Sequence, residues 1–546
     1  MGCLSDPSVM DDGPSLETLL VGIDAACDRV LAPLFEANSV PTLESIYRDG
    51  TGGPLESQLP PWTASAWPSL YTGMNPGKHG VYGFLSFDGY DWDVVNATDV
   101  RERALWELLD RHGVTSVVVN VPVTYPPRAF DGALIPGYTA PEDPDCHPEG
   151  VLEDVRGAIG EYRVYPDGDT DDLGTKYSDC VRMRGEAFRY LADRYDPEFG
   201  FLEFQATDSV FHKRPDDTAA ISAIYREVDR QLNKILETHE PTNVIVASDH
   251  GMGPYDGHEF RINEYLREAG FVETERGGTG MPTWATVRDG NLKEGKDATE
   301  YEPGAAERAM AAAARVGLTS QRLGAVFERL GIEDLVAAYT PAGVASAGAT
   351  QVDFRASSAY VRSRIELGVR INLEGREPDG VVPPEDYEDV RDRIIDALRA
   401  VTTPDGEPVF ETVGRREEYF HGPESDHAVD VVTVPADFQH FISATLRDEQ
   451  FGPPSEPWNH KLEGTIAAYG DDIDHAAGVG DAHLFDVAPT VLSTLGVPID
   501  ERMDGDPLPC VESAGTSQYP RLEAGRDIDT ADEGVEKRLA DLGYLE

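Results

Sequence analysis

LETLLVGID (residues 16–24) decides the fold of this chain, because it is a short apolar run that ends in one acidic residue. A run of this length bounded by a polar residue is typical of a buried strand. The pattern returns in FGFLEFQATD (199–208) and TNVIVASDH (242–250), and GVTSVVVNVP (113–122) is a further strand rich in β-branched residues. The sequence therefore predicts several buried strands that end in polar side chains.

Amphipathic helical segments lie between these strands, as in RERALWELLDRHG (101–113) and DTAAISAIYREVDRQLNKILETHE (217–240). Strands that alternate with helices predict an α/β fold with a mostly parallel central sheet flanked by helices. In such sheets, ligands bind at the carboxyl ends of the strands. On this interpretation four polar residues share that edge, namely Asp24, Asp208, Asp249 and His250.

The remaining segments indicate how the chain is divided. Residues 276–349 predict a loop followed by helices, and we expect a helical insertion or cap there. Residues 16–275 and 350–510 would then form one discontinuous catalytic core. The segment 511–546 is an acidic tail, and the apolar spacing within its last part, VEKRLADLGYLE, predicts a short docking helix.

The charge of the chain is strongly acidic. Its 46 Lys and Arg residues face 100 Asp and Glu residues, a net charge of −54, and lysine occurs only eight times. A dispersed acidic surface suits a protein that stays hydrated in strong salt, so we hypothesise a halophilic cytoplasm. The charge argues against a nucleic-acid-binding surface and against an anionic membrane as partner. In molar salt the Debye length is only about 3 Å, so a small anionic substrate is not repelled from a distance.

Targeting and redox signals are weak. The five cysteines are scattered without a C-x-x-C pair, so the sequence predicts neither a disulfide framework nor a thiolate zinc site. The first residues, MGCLSDPSVMDDGPS, lack the basic and apolar regions of a signal peptide. No apolar run approaches the roughly 20 residues that span a bilayer. We therefore expect a soluble, cytoplasmic protein.

The polar residues at the strand ends have the chemistry of metal ligands. Asp208 and His212 are four residues apart, and on a helical turn their side chains would lie on one face. Asp249 and His250 are adjacent at a strand end. Mixed carboxylate and imidazole ligands suit zinc or manganese. One such pair alone is more often a surface loop, but its repetition at several strand ends favours a metal site.

Thr63, in PPWTASAW (60–67), is a candidate nucleophile. A hydroxyl must lose its proton to attack phosphorus, and a coordinated metal can supply that activation. Helix N-terminal amides would also help to hold a phosphoryl group. The alternative is a helix cap, which is a common role for threonine at a helix start. Rival hydroxyls follow at Ser65, Ser69 and Thr72.

Together these motifs resemble the alkaline phosphatase superfamily and, within it, the type I phosphodiesterase/nucleotide pyrophosphatase branch. The resemblance runs from about residue 18 to about residue 510. It implies a metal-dependent hydrolase that acts on small phosphate esters through a covalent phospho-threonine. The motifs that carry it are GID (22–24), PPWTASAWPSLYTGMNPGKHG (60–80), VNVPVTYPP (119–127), SDHGM (248–252), INLEGREPDGVV (371–382), FDVAPTVLSTLGVP (485–498) and MDG (503–505).

The resemblance also implies a set of ligands for two divalent metal ions about 4 Å apart. Zinc is the expected metal, and manganese is the alternative. One ion would be held by Asp24, Thr63, Asp249 and His250. The other would be held by Asp208, His212 and His460. His460 lies in WNHKLEG (458–464), which is similar to the family's pattern of a histidine shortly before a glycine and a strand. The alternatives to it are His258, His427, His475 and His483.

One position departs from the family's pattern. Members usually carry an asparagine three residues after the nucleophile, where it binds phosphoryl oxygens, and here that residue is Ala66. The departure weakens the case for a nucleotide substrate. It leaves the Thr63 amide or Lys78 as candidate partners of the phosphoryl oxygens. His79 is expected to be structural. Alternatives are a phosphomonoesterase, a phosphonate hydrolase, a phosphomutase or a non-catalytic metal- or phosphate-binding relative. A sulfatase is disfavoured because TASAW lacks the C/S-x-P-x-R motif.

Overall fold

The computed structural model describes residues 16–166, 172–276 and 350–522. In chain order the strands are β1 (Thr18–Ile23), β2 (Thr51–Glu56), β3 (Leu85–Asp88), β4 (Asp91–Val94), β5 (Ser116–Val119), β6 (Gly132–Ile135), β7 (Phe199–Phe204), β8 (Asn243–Ala247), β9 (Gly251–Pro254), β10 (Glu259–Arg261), β11 (Thr274–Arg276), β12 (Thr350–Val352), β13 (Ala359–Tyr360), β14 (Gly368–Ile371), β15 (Phe410–Arg415), β16 (Val431–Pro435), β17 (Phe441–Ser443), β18 (Phe451–Gly452), β19 (Trp458–Lys461), β20 (Glu463–Gly470), β21 (Ala482–His483), β22 (Ile499–Asp500) and β23 (Thr516–Ser517).

The α-helices within those residues flank the strands. They are α1 (Asp28–Glu36), α2 (Pro41–Asp49), α3 (Thr63–Thr72), α4 (Pro76–His79), α5 (Leu105–Asp110), α6 (Val151–Ile159), α7 (Leu173–Tyr195), α8 (Ala206–Lys213), α9 (Thr218–His239), α10 (Ile262–Glu268), α11 (Tyr387–Arg399) and α12 (Val487–Thr494).

An eight-stranded sheet forms the centre of the fold, in the order β21-β2-β20-β8-β1-β7-β5-β6. Strands β8, β1, β7, β5 and β6 are parallel, and β20 runs antiparallel between β8 and β2. This confirms the predicted α/β fold with a mostly parallel sheet. In the central strand Ile23 pairs with Phe204 of β7, and Gly22 pairs with Ala247 of β8. The three strands therefore end at the same level.

The helices cover the sheet with their apolar sides. Helix α9 corresponds to the predicted helix at 217–240, and the Asp217 side chain caps it by accepting a hydrogen bond from the Ala220 amide. Its buried face follows helical spacing, with Ile224, Val228, Leu232 and Ile235 fully buried. Helices α7 and α9 pack against each other.

A second hydrophobic core lies beside the main one. It is built on a four-stranded antiparallel sheet, β13-β14-β16-β15, and on helix α11, which agree with the predicted strands and helix at 358–401. Asp430, just before β16, is fully buried and pairs with Arg376, with two nitrogen–oxygen distances of 2.7 Å. The INLEGREPDGVV segment therefore stabilises this second core.

Two of the predicted segments fall outside the described residues. These are the expected insertion at 276–349, apart from residue 276, and the expected docking helix at 535–546. In the ranges that are described, no helix combines the length and the apolar character needed to cross a membrane.

Candidate metal centre

The carboxyl edge of the central sheet gathers the predicted ligands. Asp24 follows β1 directly, Asp249 lies two residues beyond β8, and Asp208 lies in α8, just beyond β7. His460 reaches the same edge from the other direction. Because β20 is antiparallel, it begins where the parallel strands end, and β19 immediately before it carries His460.

One half of the cluster surrounds Asp208. Helix α8 places Asp208 and His212 on one face, and His212 Nε2 lies 3.3 Å from Asp208 Oδ1. His460 Nε2 lies 3.4 Å from the same oxygen. The two histidine Nε2 atoms are 3.1 Å apart. Three of the predicted ligands thus converge on one point.

The other half surrounds His250. Its Nε2 atom lies 3.3 Å from Asp24 Oδ1 and 3.3 Å from Asp249 Oδ2. Thr63 Oγ1 is 3.3 Å from the same nitrogen. Two groups of potential metal ligands share His250, and in each group the ligand atoms lie within 4.8 Å of one another. The first group is Asp24, Asp249 and His250. The second group is Asp208, His250 and His460.

Main-chain carbonyls orient the two central histidines. His250 Nδ1 lies 3.0 Å from the Gly251 carbonyl oxygen, and His460 Nδ1 lies 2.7 Å from that of Pro61. An N–H at each Nδ1 donates to these oxygens, which leaves the Nε2 lone pair directed at the cluster. Histidines that bind metals are held in this way by a hydrogen bond at the second ring nitrogen.

Thr63 begins helix α3, and its hydroxyl contacts His250. The N-cap residue of this helix is Trp62, and its side chain makes no capping hydrogen bond. Thr63 is therefore the first residue of the helix and not its N-cap. The three rival hydroxyls make other contacts: Ser65 donates to Pro60 and Trp62 carbonyls, Ser69 bonds His79 Nε2, and Thr72 donates to the Pro68 carbonyl. Of these four hydroxyls, Thr63 is the one that contacts a predicted metal ligand, His250.

The carboxylates of this cluster are buried and short of donors. Asp24, Asp208 and Asp249 have no exposed surface, and both oxygens of Asp24 and of Asp208 accept no hydrogen bond from the described residues. Burial raises the pKa of Asp24 well above its ordinary value, and the nearby charge of Asp249 raises it further. Buried charges are stable when they pair or coordinate metals. A divalent cation therefore fits these residues, and the oxygen and imidazole donors suit zinc or manganese.

The sequence of the same region identifies its family. Residues 18–337 match the model of the type I phosphodiesterase / nucleotide pyrophosphatase family. The chain belongs to this family. Its members are phosphoester hydrolases, and the protein is an enzyme of that class. A comparison with curated proteins found no match.

Three solved structures are similar to this family member at low sequence identity, and the first of them shares its fold. Phosphonoacetate hydrolase from Sinorhizobium meliloti 1021, in complex with phosphonoacetate, aligns with a TM-score of 0.53 and 15% identity, over 89% of this chain and 98% of that chain. The wild-type alkaline phosphatase PafA gives a TM-score of 0.49 and 14% identity, over 90% and 98%. Murine ectonucleotide pyrophosphatase / phosphodiesterase 5 gives 0.44 and 14%, over 88% and 96%.

Two of the motifs that suggested the family brace helices α3 and α4. Lys78 forms an ion pair with Asp504 of the MDG motif and donates to the Arg502 carbonyl at 2.7 Å, so it is engaged away from Thr63. His79 bonds Ser69 at 2.8 Å, and burial lowers its pKa to about 3. Both residues hold the two helices in position.

The alternative histidines lie elsewhere. Within the described ranges, none of the four belongs to either group of potential metal ligands. Their contacts are His475 stacked on Tyr469, His483 Nδ1 accepting from the Phe485 amide, His258 at 3.6 Å from Asp405, and His427 at 3.4 Å from Glu424.

Sequence reasoning missed two residues beside the cluster. Glu456 Oε2 lies 3.4 Å from His212 Nδ1, and its other oxygen pairs with Arg364 at 2.8 Å. Asn120 follows β5 and donates to Glu203, with a nitrogen–oxygen distance of 2.6 Å. The pattern of polar residues at strand ends, applied to the predicted strand 113–122, would have found Asn120.

A cavity of about 380 Å³ lies between the β3–β4 hairpin and the segment 420–429. Aromatic and acidic side chains line it, among them Tyr82, Trp92, Phe420 and Asp93, and it includes none of the predicted ligands. Its wall residue Ile365 accepts a hydrogen bond from the Trp62 indole. The cavity therefore adjoins the start of α3.

Proposed function

We propose that this enzyme hydrolyses phosphate esters with Thr63 as nucleophile and two divalent metal ions, zinc or manganese, bound in the buried cluster. The observation that carries the proposal is the 3.3 Å contact between the Thr63 hydroxyl and His250 Nε2. His250 belongs to both groups of potential ligands, so a hydroxyl beside it lies where an activating ion would bind.

The distances support a division of the ligands into two sets. Asp24, Thr63, Asp249 and His250 would hold one ion, since His250 Nε2 is 3.3 Å from an oxygen of each of the other three. Asp208, His212 and His460 would hold the other, because both histidines lie within 3.4 Å of one Asp208 oxygen. Ions held by these residues would lower the pKa of the Thr63 hydroxyl and would neutralise phosphoryl charge.

The reaction then proceeds in two displacements. Thr63 Oγ1 loses its proton and attacks phosphorus, and the bond from phosphorus to the ester oxygen breaks. The released alcohol takes up one proton, which balances the proton lost by the hydroxyl. Water next attacks the phosphorus of the phospho-threonine, breaks its bond to Oγ1 and returns the hydroxyl. Helix α3 begins at Thr63, so its first-turn amides support the anionic phosphoryl group.

Substitution of Thr63 tests this function. Purified protein in molar KCl with zinc or manganese is assayed on bis(4-nitrophenyl) phosphate, 4-nitrophenyl phosphate and phosphonoacetate, which also covers the monoesterase and phosphonatase alternatives. We expect Thr63→Ala to lose about 10³-fold or more of kcat, since removal of a nucleophile leaves only binding and electrostatic catalysis. Ser65→Ala is the matched control, because Ser65 bonds Pro60 and Trp62 carbonyls in the same helix. Full activity in Thr63→Ala would refute the nucleophile.

A further inference from the structure

A second set of polar side chains lies on the same sheet edge, next to the metal ligands. Asn120 follows β5, and Tyr138 and Thr139 follow β6 by a few residues. Strands β5 and β6 continue the sheet directly beyond β7, after which Asp208 lies. Each of the three residues is buried and has one side-chain oxygen without a hydrogen-bond partner among the described residues.

Backbone strain accompanies this set. Asn120 and Thr139 adopt positive φ angles of 68° and 79°, in the left-handed region that non-glycine residues seldom occupy. Ala25, directly after the predicted ligand Asp24, has a φ of 61°. Strained conformations of this kind cluster at functional sites. Positive φ angles therefore occur after β5 and β6 and also after β1, next to Asp24.

Tyr138 carries a buried hydroxyl that can act as a donor in this set. It is 4% exposed, and Phe84 and Tyr165 hold its ring in edge contacts, with centroid distances of 5.9 and 5.8 Å. Burial raises the pKa of Tyr138 well above its ordinary value, and the charges of Asp208 and Asp24 raise it further. Its hydroxyl therefore stays protonated and can act as a donor.

The neighbouring Tyr165 shows what the Tyr138 hydroxyl lacks. The Tyr165 hydroxyl donates to the Ala140 carbonyl at 2.6 Å, whereas that of Tyr138 has no acceptor in the described chain. Buried hydroxyls are normally paired with protein or water, because an unmade bond is costly. A buried donor whose ring is held by aromatic contacts, on the sheet edge that carries the predicted metal ligands, is suited to an anionic oxygen of the bound ligand.

We propose that the Tyr138 hydroxyl donates a hydrogen bond to a non-bridging oxygen of the phosphoryl group. It supplies the contact that Ala66 cannot make, while Lys78 is held by Asp504. This inference rests on the proposed function, since it requires phosphate to bind at the cluster. It makes Tyr138 a substrate-binding residue contributed by β6, the outermost strand on this side of the sheet.

The test compares Tyr138→Phe with Tyr165→Phe in the metal-loaded full chain. Two quantities are measured: kcat/KM on the best ester, and the affinity for inorganic phosphate by calorimetry. Loss of a hydrogen bond to a charged group predicts a fall of about 10- to 100-fold in both for Tyr138→Phe, with an unchanged or higher melting temperature. For Tyr165→Phe we expect phosphate affinity within about twofold of wild type, because its hydroxyl serves the main chain.

The calorimetric measurement separates this inference from the proposed function. Suppose that the wild type binds phosphate more tightly than Tyr138→Phe but hydrolyses no ester. This result would refute the proposed hydrolysis and would support the hydrogen bond from Tyr138 to phosphate. Equal phosphate affinity in wild type and Tyr138→Phe would overturn the contact and assign the hydroxyl to water. Failure of the wild type to bind millimolar phosphate would overturn it as well.

Discussion

The imidazole rings of His250 and His460 are stacked, with their centroids 3.6 Å apart and their planes inclined by 18°. Two protonated rings would repel each other at this distance. Burial lowers the pKa of His250 to about 4 and also lowers that of His460, so both rings are neutral near pH 7. Neutral imidazole is the form that binds metal ions. The stack therefore places two neutral imidazole rings, both of them proposed metal ligands, face to face.

Removal of one ring should remove metal. We expect His460→Ala to lower metal content by about one ion per chain and kcat by at least about 100-fold, the upper range seen when even an outer partner of a ligand is lost. His475→Ala is the control, because His475 stacks on Tyr469 away from the cluster. Metal analysis by mass spectrometry and the ester assay measure both. Unchanged metal content in His460→Ala would exclude this histidine as a ligand.

Metal removal should also destabilise the folded chain. Buried carboxylates such as Asp24 and Asp208 then repel one another without a cation. By mass action, an ion present at 1,000 times its dissociation constant contributes about 4 kcal/mol of stability. We expect dialysis against EDTA to lower the melting temperature by several degrees and zinc to restore it. Identical melting curves with and without chelator would contradict a resident metal.

The second core should depend on pH through Asp430. Its ordinary pKa of 3.8 is lowered to about 2, because the Arg376 guanidinium outweighs the opposing effect of burial. A lowered folded-state pKa stabilises the protein above about pH 4, and that stability is lost as the pH falls towards 2. A shift of this size corresponds to about 2 kcal/mol.

Asp430→Asn tests this pairing by urea unfolding at pH 7 and at pH 3. Substitution removes the Asp430 ion pair and leaves the partly buried Arg376 with Glu377, at 2.9 Å, as a carboxylate partner. We therefore expect a loss of about 2 kcal/mol at pH 7 and a smaller difference from wild type at pH 3. Asp426→Asn is the control, since Asp426 is an exposed partner of Arg416, and it should change stability by less than about 1 kcal/mol. A pH-independent difference for Asp430→Asn would assign the loss to packing.

The net charge of −54 predicts a stability that rises with salt. Self-repulsion of this size opposes the compact state, and it is screened as the Debye length falls to about 3 Å at molar ionic strength. We expect the melting temperature to increase between low and multimolar KCl. A melting temperature that does not rise over that range would remove the halophilic hypothesis.

The strand ends of the site were predictable from sequence, because parallel strands place the residues that follow them on one edge. Asp24 and Asp249 needed only the apolar runs before them. His460 needed more: it lies at this edge because β20 is antiparallel, and no local pattern shows the direction of a strand. Its identification depended on the family's motif.

Residues that act through long-range contacts were harder to predict. Glu456 reaches His212 across the fold, and Tyr138 contacts Phe84 from a different element. Neither lies in a periodic segment, so hydropathy gives them no signal. The second core was hard to predict for the same reason, because its strands β14 and β16 pair although about sixty residues separate them in the chain. Such pairings are set by packing of whole elements.

The position of His460 on β19, late in the chain, has a consequence for the synthesis of the protein. The carboxylates of Asp24, Asp208 and Asp249 leave the ribosome well before His460. At 5–20 residues per second, the interval between Asp249 and His460 is about 10–40 s. A nascent or prematurely terminated chain that stops short of β19 carries the three aspartates but lacks the His460 ring that we propose as a further metal ligand. Tight ion uptake would thus mark a polypeptide whose translation has passed residue 460.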